Sequence, residues 1–207
     1  MRAVVVTRQG NPVTPNIRFQ TDWPDLPPPK SGWVNVRALA SAFNHMDLWV
    51  GMGIPGVNLI YPRVSGCDCC GVVDAVGPGV DTKWVGRRVI VNAATRVPDS
   101  SRPGDPPGTT LAPNYELIGE HHNGMFAEFF SIPADNLAAI PESIDVADGA
   151  AFGLCALTAY SMMVTKARIV PGQSVLITGI GGGAVTIGTT GGGSTFGRTD
   201  VLVVLGR

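Results

Sequence analysis

The sequence predicts a mixed α/β fold, with a β-rich first part and a shorter second part made of a helix and strands. From Ala3 to about Ile140, short apolar runs alternate with turns rich in glycine and proline, which is typical of a compact all-β barrel or sandwich. After Pro141 the pattern changes to a long apolar run with helical spacing, and then to a strand that runs into glycines. This change predicts two domains, 1–145 and 146–207.

Composition limits the classes of partner. The chain has 207 residues, with 15 Lys and Arg against 16 Asp and Glu and a formal net charge of −1. The charges are scattered and form no basic run, so we expect neither nucleic acid nor an anionic membrane surface as a partner.

The sequence also favours a soluble, cytoplasmic protein. The first apolar run, Met1–Val6, is too short for a signal peptide and is typical of a strand. Gly149–Thr165 is free of charge and long enough to span a membrane, but its polar residues fit a buried helix of a soluble protein better. Three of the four cysteines crowd into Cys67–Cys70, which is no spaced disulfide framework and favours a reducing compartment.

Five runs in the first part are typical of strands because they are rich in β-branched and aromatic residues. They are Val4–Val6, Trp33–Leu39, Val72–Val76, Arg88–Val91 and Phe126–Ile132. Arg96–Pro113 is dense in Pro, Gly, Asp, Ser and Thr, so we expect a surface loop there. His121 and His122 are also expected at the surface.

Two helices are predicted. The first, Asn44–Val50, is short and lies on the rim of the β-rich part. The second opens at Pro141–Asp148. Its inner face is assigned to the residues at i, i+3 and i+4 spacing, which are Ala150, Ala151, Leu154, Leu157, Thr158 and Ser161.

The segment from Asn44 to Val80 carries the candidate reaction centre. It contains four groups able to bind a metal ion or a carbonyl substrate: Asn44, Asp47, Cys67 and Asp68. The strand Val72–Val76 and its Gly-Pro-Gly turn follow the second pair, so a fold can bring the two pairs together. We assign the candidate catalytic residues to these four.

A second candidate site follows the strand Ser174–Thr178. Its glycines suit a phosphate or dinucleotide because phosphate oxygens must approach backbone N–H groups closely. The residues concerned are Gly179, Gly181, Gly182 and Gly183. A glycine-rich hairpin is an equal alternative at this position.

In this order along the chain, the motifs resemble the medium-chain dehydrogenase/reductase superfamily, which contains alcohol dehydrogenases and quinone oxidoreductases. The matching sequences are Asn44–Trp49, Gly66–Gly77, Val85–Val89, Gly124–Phe129, Leu157–Tyr160 and Pro171–Ile177. The resemblance implies an N-terminal GroES-like β-barrel followed by a Rossmann domain. It also implies hydride transfer between NADP (or NAD) and a small quinone, enone or carbonyl substrate.

The same resemblance argues against zinc. Zinc-dependent members have a ligating Cys at the position of Asn44, a His-Glu pair at that of Cys67-Asp68, and a third ligand at that of Leu154. Zn²⁺ needs three or four thiolate, imidazole or carboxylate ligands, and Arg96–Pro113 lacks the four cysteines of the structural zinc site. The cysteine cluster leaves three alternatives: an improvised zinc site, simple packing, or a redox-sensitive thiol at Cys67.

An asparagine at position 44 is what zinc-free, quinone-oxidoreductase-like members show, and there hydrogen-bond donors must stabilise the developing charge. Asn44 either donates to that oxyanion or caps the short helix. Asp47 either orients its neighbours or lies on the rim. Asp68 either lies beside the cleft or pairs with Arg63. Thr158 matches the family position that contacts the nicotinamide side of the cofactor, or bonds its own backbone.

The Rossmann domain is expected to be truncated. A complete one needs about six parallel strands, whereas 24 residues follow Gly183. Val185–Gly191 resembles a late strand and loop of the family, in which Thr189 and Thr190 would contact the cofactor. The helix that binds the pyrophosphate is therefore expected to be absent between Gly183 and Ala184.

Two expectations follow for the whole chain. Dinucleotide binding by this chain alone should be weak or absent, which leaves a non-catalytic GroES-like binding module as an alternative function. The apolar strand Val201–Leu205 would be exposed, so we expect the chain to form a homo-oligomer.

Overall fold

A computed structural model describes residues 1–96, 115–170, 172–178, 182 and 200–204. The chain divides into two compact units, Met1–Ala151 and Phe152–Arg207. The first unit is built from antiparallel sheets and the second contains a parallel strand pair. The mixed α/β class predicted from the sequence is confirmed.

The first unit contains one short helix, α1, at His45–Met52, and the start of a longer one, α2, at Val146–Tyr160. Its strands are β1 (Ala3–Val6), β2 (Ile17–Gln20), β3 (Trp33–Ala42), β4 (Arg63–Val64), β5 (Asp68–Val76), β6 (Arg88–Val91), β7 (Ala94–Arg96), β8 (Tyr115–Leu117), β9 (Phe129–Pro133) and β10 (Leu137–Ala139). Each strand run predicted from the sequence overlaps one of these strands.

The strands of the first unit form three sheets. The largest has the order β10-β6-β5-β3-β9, the second β2-β1-β4, and the third pairs β7 with β8. An isolated bridge between Ala3 and Ala127 connects β1 to the segment that precedes β9. β5 lies in the middle of the largest sheet, and its first residue, Asp68, pairs with Ala42 at the end of β3.

Inward-facing side chains from these sheets form the core. Val5, Val36, Val89, Phe130 and Ile132 are each at most 2% exposed. Burying an aliphatic or aromatic side chain of this kind contributes roughly 1.5–3 kcal/mol relative to leaving it in water. The core therefore fixes the strand ends from which the polar side chains project.

Two glycines allow the close approach that shapes the site. Gly66 has φ +101°, and a Cβ there would lie 2.7 Å from the Phe126 ring. At Gly124 a Cβ would lie 2.4 Å from the backbone of Ser65 and Gly66. A side chain at either position would push Gly124 and Phe126 away from the backbone that leads into Cys67 and Asp68.

The second unit contains the rest of α2, a π-helical segment at Ser161–Lys166, and strands β11 (Ser174–Thr178) and β12 (Asp200–Val204). β11 and β12 pair in parallel along their full length, from Ser174 opposite Asp200 to Thr178 opposite Val204. The strand predicted at Val201–Leu205 thus finds a partner within the chain.

The predicted inner face of the second helix is wrong in part. Ala151, Leu157, Thr158 and Ser161 are exposed, while the buried positions are Gly149, Ala150, Gly153, Ala156, Ala159 and Met163. The run is apolar on every side, so helical spacing supports more than one stripe. The buried stripe is the one with the smallest side chains.

This helix also bears on membrane association. Among the described residues, Val146–Lys166 is the one helix long and apolar enough to cross a membrane by length and composition. Core helices of soluble proteins pass the same test, so the finding does not assign a membrane role.

Candidate active site

The candidate site begins where β3 ends and α1 starts. Asn44 is the N-cap residue of α1, with extended backbone (φ −128°, ψ 158°). Asp47 follows at the third helical position, and its Oδ2 accepts a hydrogen bond from the Asn44 N–H at 2.8 Å. An acidic side chain that reaches back to the N-cap N–H is half of a capping box and fixes the start of the helix.

Asp47 also reaches the second segment of the site. Its Oδ1 accepts a hydrogen bond from the Gly66 N–H at 3.0 Å. Burial raises the pKa of Asp47, the hydrogen bonds from Asn44 and Gly66 oppose this rise, and the charge of Asp68 adds to it. Asp47 therefore joins the two segments, and it is a positioning residue rather than one on the rim.

The side-chain amide of Asn44 lies against the other two candidates. Its Nδ2 donates to Asp68 Oδ2 at 2.9 Å and to Cys67 Sγ at 3.3 Å. Cys67 is 0% exposed and Asp68 is 1% exposed, whereas Asn44 is half-buried. All four candidate catalytic residues therefore come together, and Asn44 is both the N-cap residue and an amide donor within the site.

Arg63, weighed from the sequence as a partner of Asp68, contacts a different group. Its Nη2 donates to the His122 carbonyl at 3.4 Å. Burial lowers the pKa of Arg63, and electrostatic interaction with Tyr61 and Glu120 partly opposes this lowering. The contact seen for the Asp68 carboxylate is with the Asn44 amide.

The neighbouring cysteines have the properties of packing residues. All four cysteines of the chain are free thiols. Burial raises the pKa of Cys69 to about 12 and also raises the pKa of Cys70. Since the thiolate is the reactive and metal-binding form, these two side chains are held in their inert form.

The residues of the site do not fit a tetrahedral zinc ion. Among the described residues, no group of three or more His, Cys, Asp and Glu side chains lies close enough to hold a metal. Cys67 and Asp68 are joined by an amide N–H₂ group, which is a hydrogen-bond donor. Leu154, at the third family position, has no donor atom in its side chain.

Only two of the residues predicted to contact the cofactor lie among the described residues. Thr158 is exposed on α2, and Gly182 is a half-buried bend. Gly179, Gly181, Gly183, Thr189 and Thr190 lie outside the described residues. All of these assignments stay predictions.

Two contributors to the site were missed from the sequence. The backbone N–H of Gly66 donates a hydrogen bond to Asp47, and the Phe126 ring packs against Gly66. A glycine directly before two polar residues was a usable signal, because such a glycine often allows close approach to the backbone. The contribution of Phe126, sixty residues further on, had no local signal.

Comparison with known proteins assigns the family of the chain. Residues 30–142 match the alcohol dehydrogenase GroES-like domain family. The chain is 33% identical over 166 residues to the zinc-type alcohol dehydrogenase-like protein YogA of Leptosphaeria maculans, covering 76% of this chain and 44% of that protein. It is 26% identical over 183 residues to the quinone oxidoreductase of Homo sapiens, covering 88% and 46%. The chain thus spans less than half the length of these curated relatives.

A solved structure agrees with this family. An NAD-dependent alcohol dehydrogenase superposes with a TM-score of 0.86 and 36% sequence identity, covering 100% of this chain and 58% of the other. The antiparallel first unit is the GroES-like domain, and the helix and parallel strand pair of the second unit are a partial Rossmann part. The chain therefore belongs to the alcohol dehydrogenase GroES-like domain family, within the medium-chain dehydrogenase/reductase superfamily.

Proposed function

We propose that this chain carries the substrate-binding half of a zinc-free oxidoreductase site of the quinone-oxidoreductase type. The observation that supports this is the Asn44 amide, whose Nδ2 lies 2.9 Å from Asp68 and 3.3 Å from Cys67 in an otherwise buried centre. The substrate would be a small quinone, enone or carbonyl compound. Cytoplasmic location and self-association are part of the same proposal.

The chemistry requires a donor at the substrate oxygen. Hydride addition to a carbonyl or enone places negative charge on the oxygen, and a fixed N–H group stabilises that charge. The Asn44 amide donates to both Asp68 and Cys67, and the contact to Cys67 is the longer and has a weak sulfur acceptor. A substrate oxygen can replace Cys67 as the acceptor of that N–H hydrogen bond, while Asp68 continues to orient the amide.

The nicotinamide cofactor, NADP or NAD, supplies the hydride when it is bound. The sequence between β11 and β12 does not favour tight binding of it, because Ala184-Val185-Thr186-Ile187 follows the glycines, and β-branched residues are less suited to the helix whose N-terminus holds a pyrophosphate. We therefore propose that this chain alone binds dinucleotides weakly.

Substrate binding can be tested without cofactor. Titration of ¹⁵N-labelled protein with cyclohex-2-enone should shift the side-chain amide resonance of Asn44 but not that of Asn58, which is exposed in a loop. The Asn44→Ala variant should lose the binding, and Asn58→Ala should retain it. Equal affinity of the two variants would exclude Asn44 as the donor.

Measurements of dinucleotide binding and of turnover test the proposed weak cofactor site and the proposed oxidoreductase activity. Calorimetric titration with NADPH and NADH should give dissociation constants weaker than roughly 0.1 mM, and micromolar binding would contradict the proposed weak site. At millimolar NADPH, any reduction of a quinone and enone panel should disappear in Asn44→Ala. Enone binding without any turnover would favour the non-catalytic binding module.

Near-stoichiometric zinc in the purified protein, lost in Cys67→Ser, would favour a zinc-dependent alcohol dehydrogenase.

A further inference from the structure

The first unit contains a cavity apart from the candidate site. Its volume is about 210 Å³, and none of the four candidate catalytic residues lines it. Four of its walls are aromatic side chains, from Trp23, Trp33, Phe129 and Phe130. An apolar cavity of about 150 Å³ is large enough to admit benzene. The cavity therefore has room for one six-membered aromatic ring and a small substituent.

A lysine supplies positive charge at this cavity. The Nζ atom of Lys30 lies 3.7 Å from the centre of the Trp33 ring, and Lys30 is one of the lining residues. A cation over a tryptophan face is attracted by the ring and is held in place by it. Within the described parts of the chain, no carboxylate forms an ion pair with Lys30.

The other polar walls are already engaged. The Nε2 atom of His122 lies 2.6 Å from a Glu116 carboxylate oxygen, and the imidazole stands edge-on to Trp33 with the ring centres 5.9 Å apart. Asn123 uses its Oδ1 to accept the Val64 N–H at 3.1 Å. The N-terminal ammonium of Met1, which also lines the cavity, donates to the Trp23 carbonyl and to Asp25 Oδ1, both at 2.7 Å. Lys30 is therefore the cavity cation that is available to pair with an anionic ligand.

We propose that this cavity binds a compact aromatic carboxylate with a single six-membered ring. The ring lies between the tryptophan and phenylalanine walls, and the carboxylate pairs with the Lys30 ammonium, forming a charge-assisted hydrogen bond. The site is separate from the Asn44 centre and does not depend on the function proposed for it.

Benzoate is the probe for the test. The chain has four tryptophans, and two of them, Trp23 and Trp33, line the cavity. Titration of the full ¹⁵N-labelled chain with sodium benzoate should shift the indole N–H resonances of Trp23 and Trp33 with a common dissociation constant, on the order of 1 mM. The resonances of Trp49 and Trp84 should not move. Shifts of all four, or of none at 20 mM benzoate, would overturn the proposal.

Two matched variants test the charge. Lys30→Met keeps the aliphatic stem over Trp33 and should weaken benzoate binding at least fivefold. Lys83→Met, at an exposed lysine paired with Asp81, should leave it unchanged. Benzyl alcohol, a neutral ligand of the same size, should bind both variants and the wild type equally. Unchanged benzoate affinity in Lys30→Met, in a variant that still binds benzyl alcohol, would exclude the carboxylate–Lys30 contact.

Discussion

The two units differ in how completely they bury their apolar side chains. In the first unit, the core side chains of Val5, Val36 and Phe130 are 2% exposed or less. In the described residues of the second unit, Leu157 is 47% exposed and Leu176 is 60% exposed. Both units expose some large apolar side chains, up to 84% in the first unit. What distinguishes the first unit is that, among the described residues, the largest fully buried side chains all belong to it.

The candidate catalytic residues and the partial Rossmann part therefore belong to units that differ in how their apolar side chains are buried. Asn44, Asp47, Cys67 and Asp68 all project from segments of the first unit, which fixes their positions. Exposed apolar surface in the second unit costs free energy until something covers it. We therefore expect changes in the first unit to act on stability and on the site, and changes in the second to act on association.

The largest expected effect comes from the core of the first unit. Phe130→Ala removes a buried ring and should lower the free energy of unfolding by roughly 3–5 kcal/mol, measured by denaturant titration. Leu157→Ala, on the exposed face of α2, should change it by less than about 0.5 kcal/mol. Similar losses in the two variants would show that the second unit has a closed core of its own.

A negative charge at position 44 should have the next largest effect on the free energy of unfolding. Asn44→Asp places a second carboxylate against Asp68 in place of a donor, and should cost roughly 1.5–3 kcal/mol at neutral pH. The double variant Asn44→Asp with Asp68→Asn restores one donor and one acceptor, so it should recover part of the loss. No recovery in the double variant would mean that the contact between these side chains does not stabilise the fold.

Self-association should depend on the second unit. Leu157→Lys should weaken it about tenfold, equivalent to about 1.4 kcal/mol, because a charge then lies on the exposed apolar face. Sedimentation velocity over a range of concentrations gives the measurement. Phe43→Lys, at an apolar residue of the first unit that is 84% exposed, is the control and should associate like the wild type. The reverse result would place the contact surface on the first unit.

The smallest effect is a pH dependence at Asp47. Because the pKa of Asp47 is raised in the folded state, mainly by burial, its contribution to stability is full below its unfolded value of about 3.9 and declines as the pH rises through the raised folded value. Asp47→Asn removes this titration. The stability of the wild type relative to Asp47→Asn should therefore fall as the pH rises above about 4. A constant or rising difference would contradict the raised pKa.

Local patterns predicted most of the described strands of the first unit and the four residues that lie together at the candidate site. The strand Arg88–Val91 has the predicted bounds, and α1 begins directly after Asn44. Such features depend on alternation, turn residues and capping within a few positions, all of which are visible in sequence. The motif order also led to the correct superfamily.

Features that depend on distant packing were not predictable in the same way. His122 was expected at the surface, but it is half-buried between Glu116 and Trp33. The buried stripe of α2 was misplaced because all sides of that helix are apolar. In each case the outcome depends on which distant segment covers the residue, and no short pattern contains that information.

By itself, the sequence predicted the four candidate residues of the site. Its resemblance to the superfamily implied an amide where zinc-dependent members have a thiol, and a thiol and carboxylate where they have a His-Glu pair. Only the tertiary structure decided that the Asn44 amide bonds both Cys67 and Asp68, and that Asp47 holds the two segments together. The physical reason is that hydrogen bonds between residues 19 to 24 positions apart form only after the β-strands have packed and excluded water from their ends.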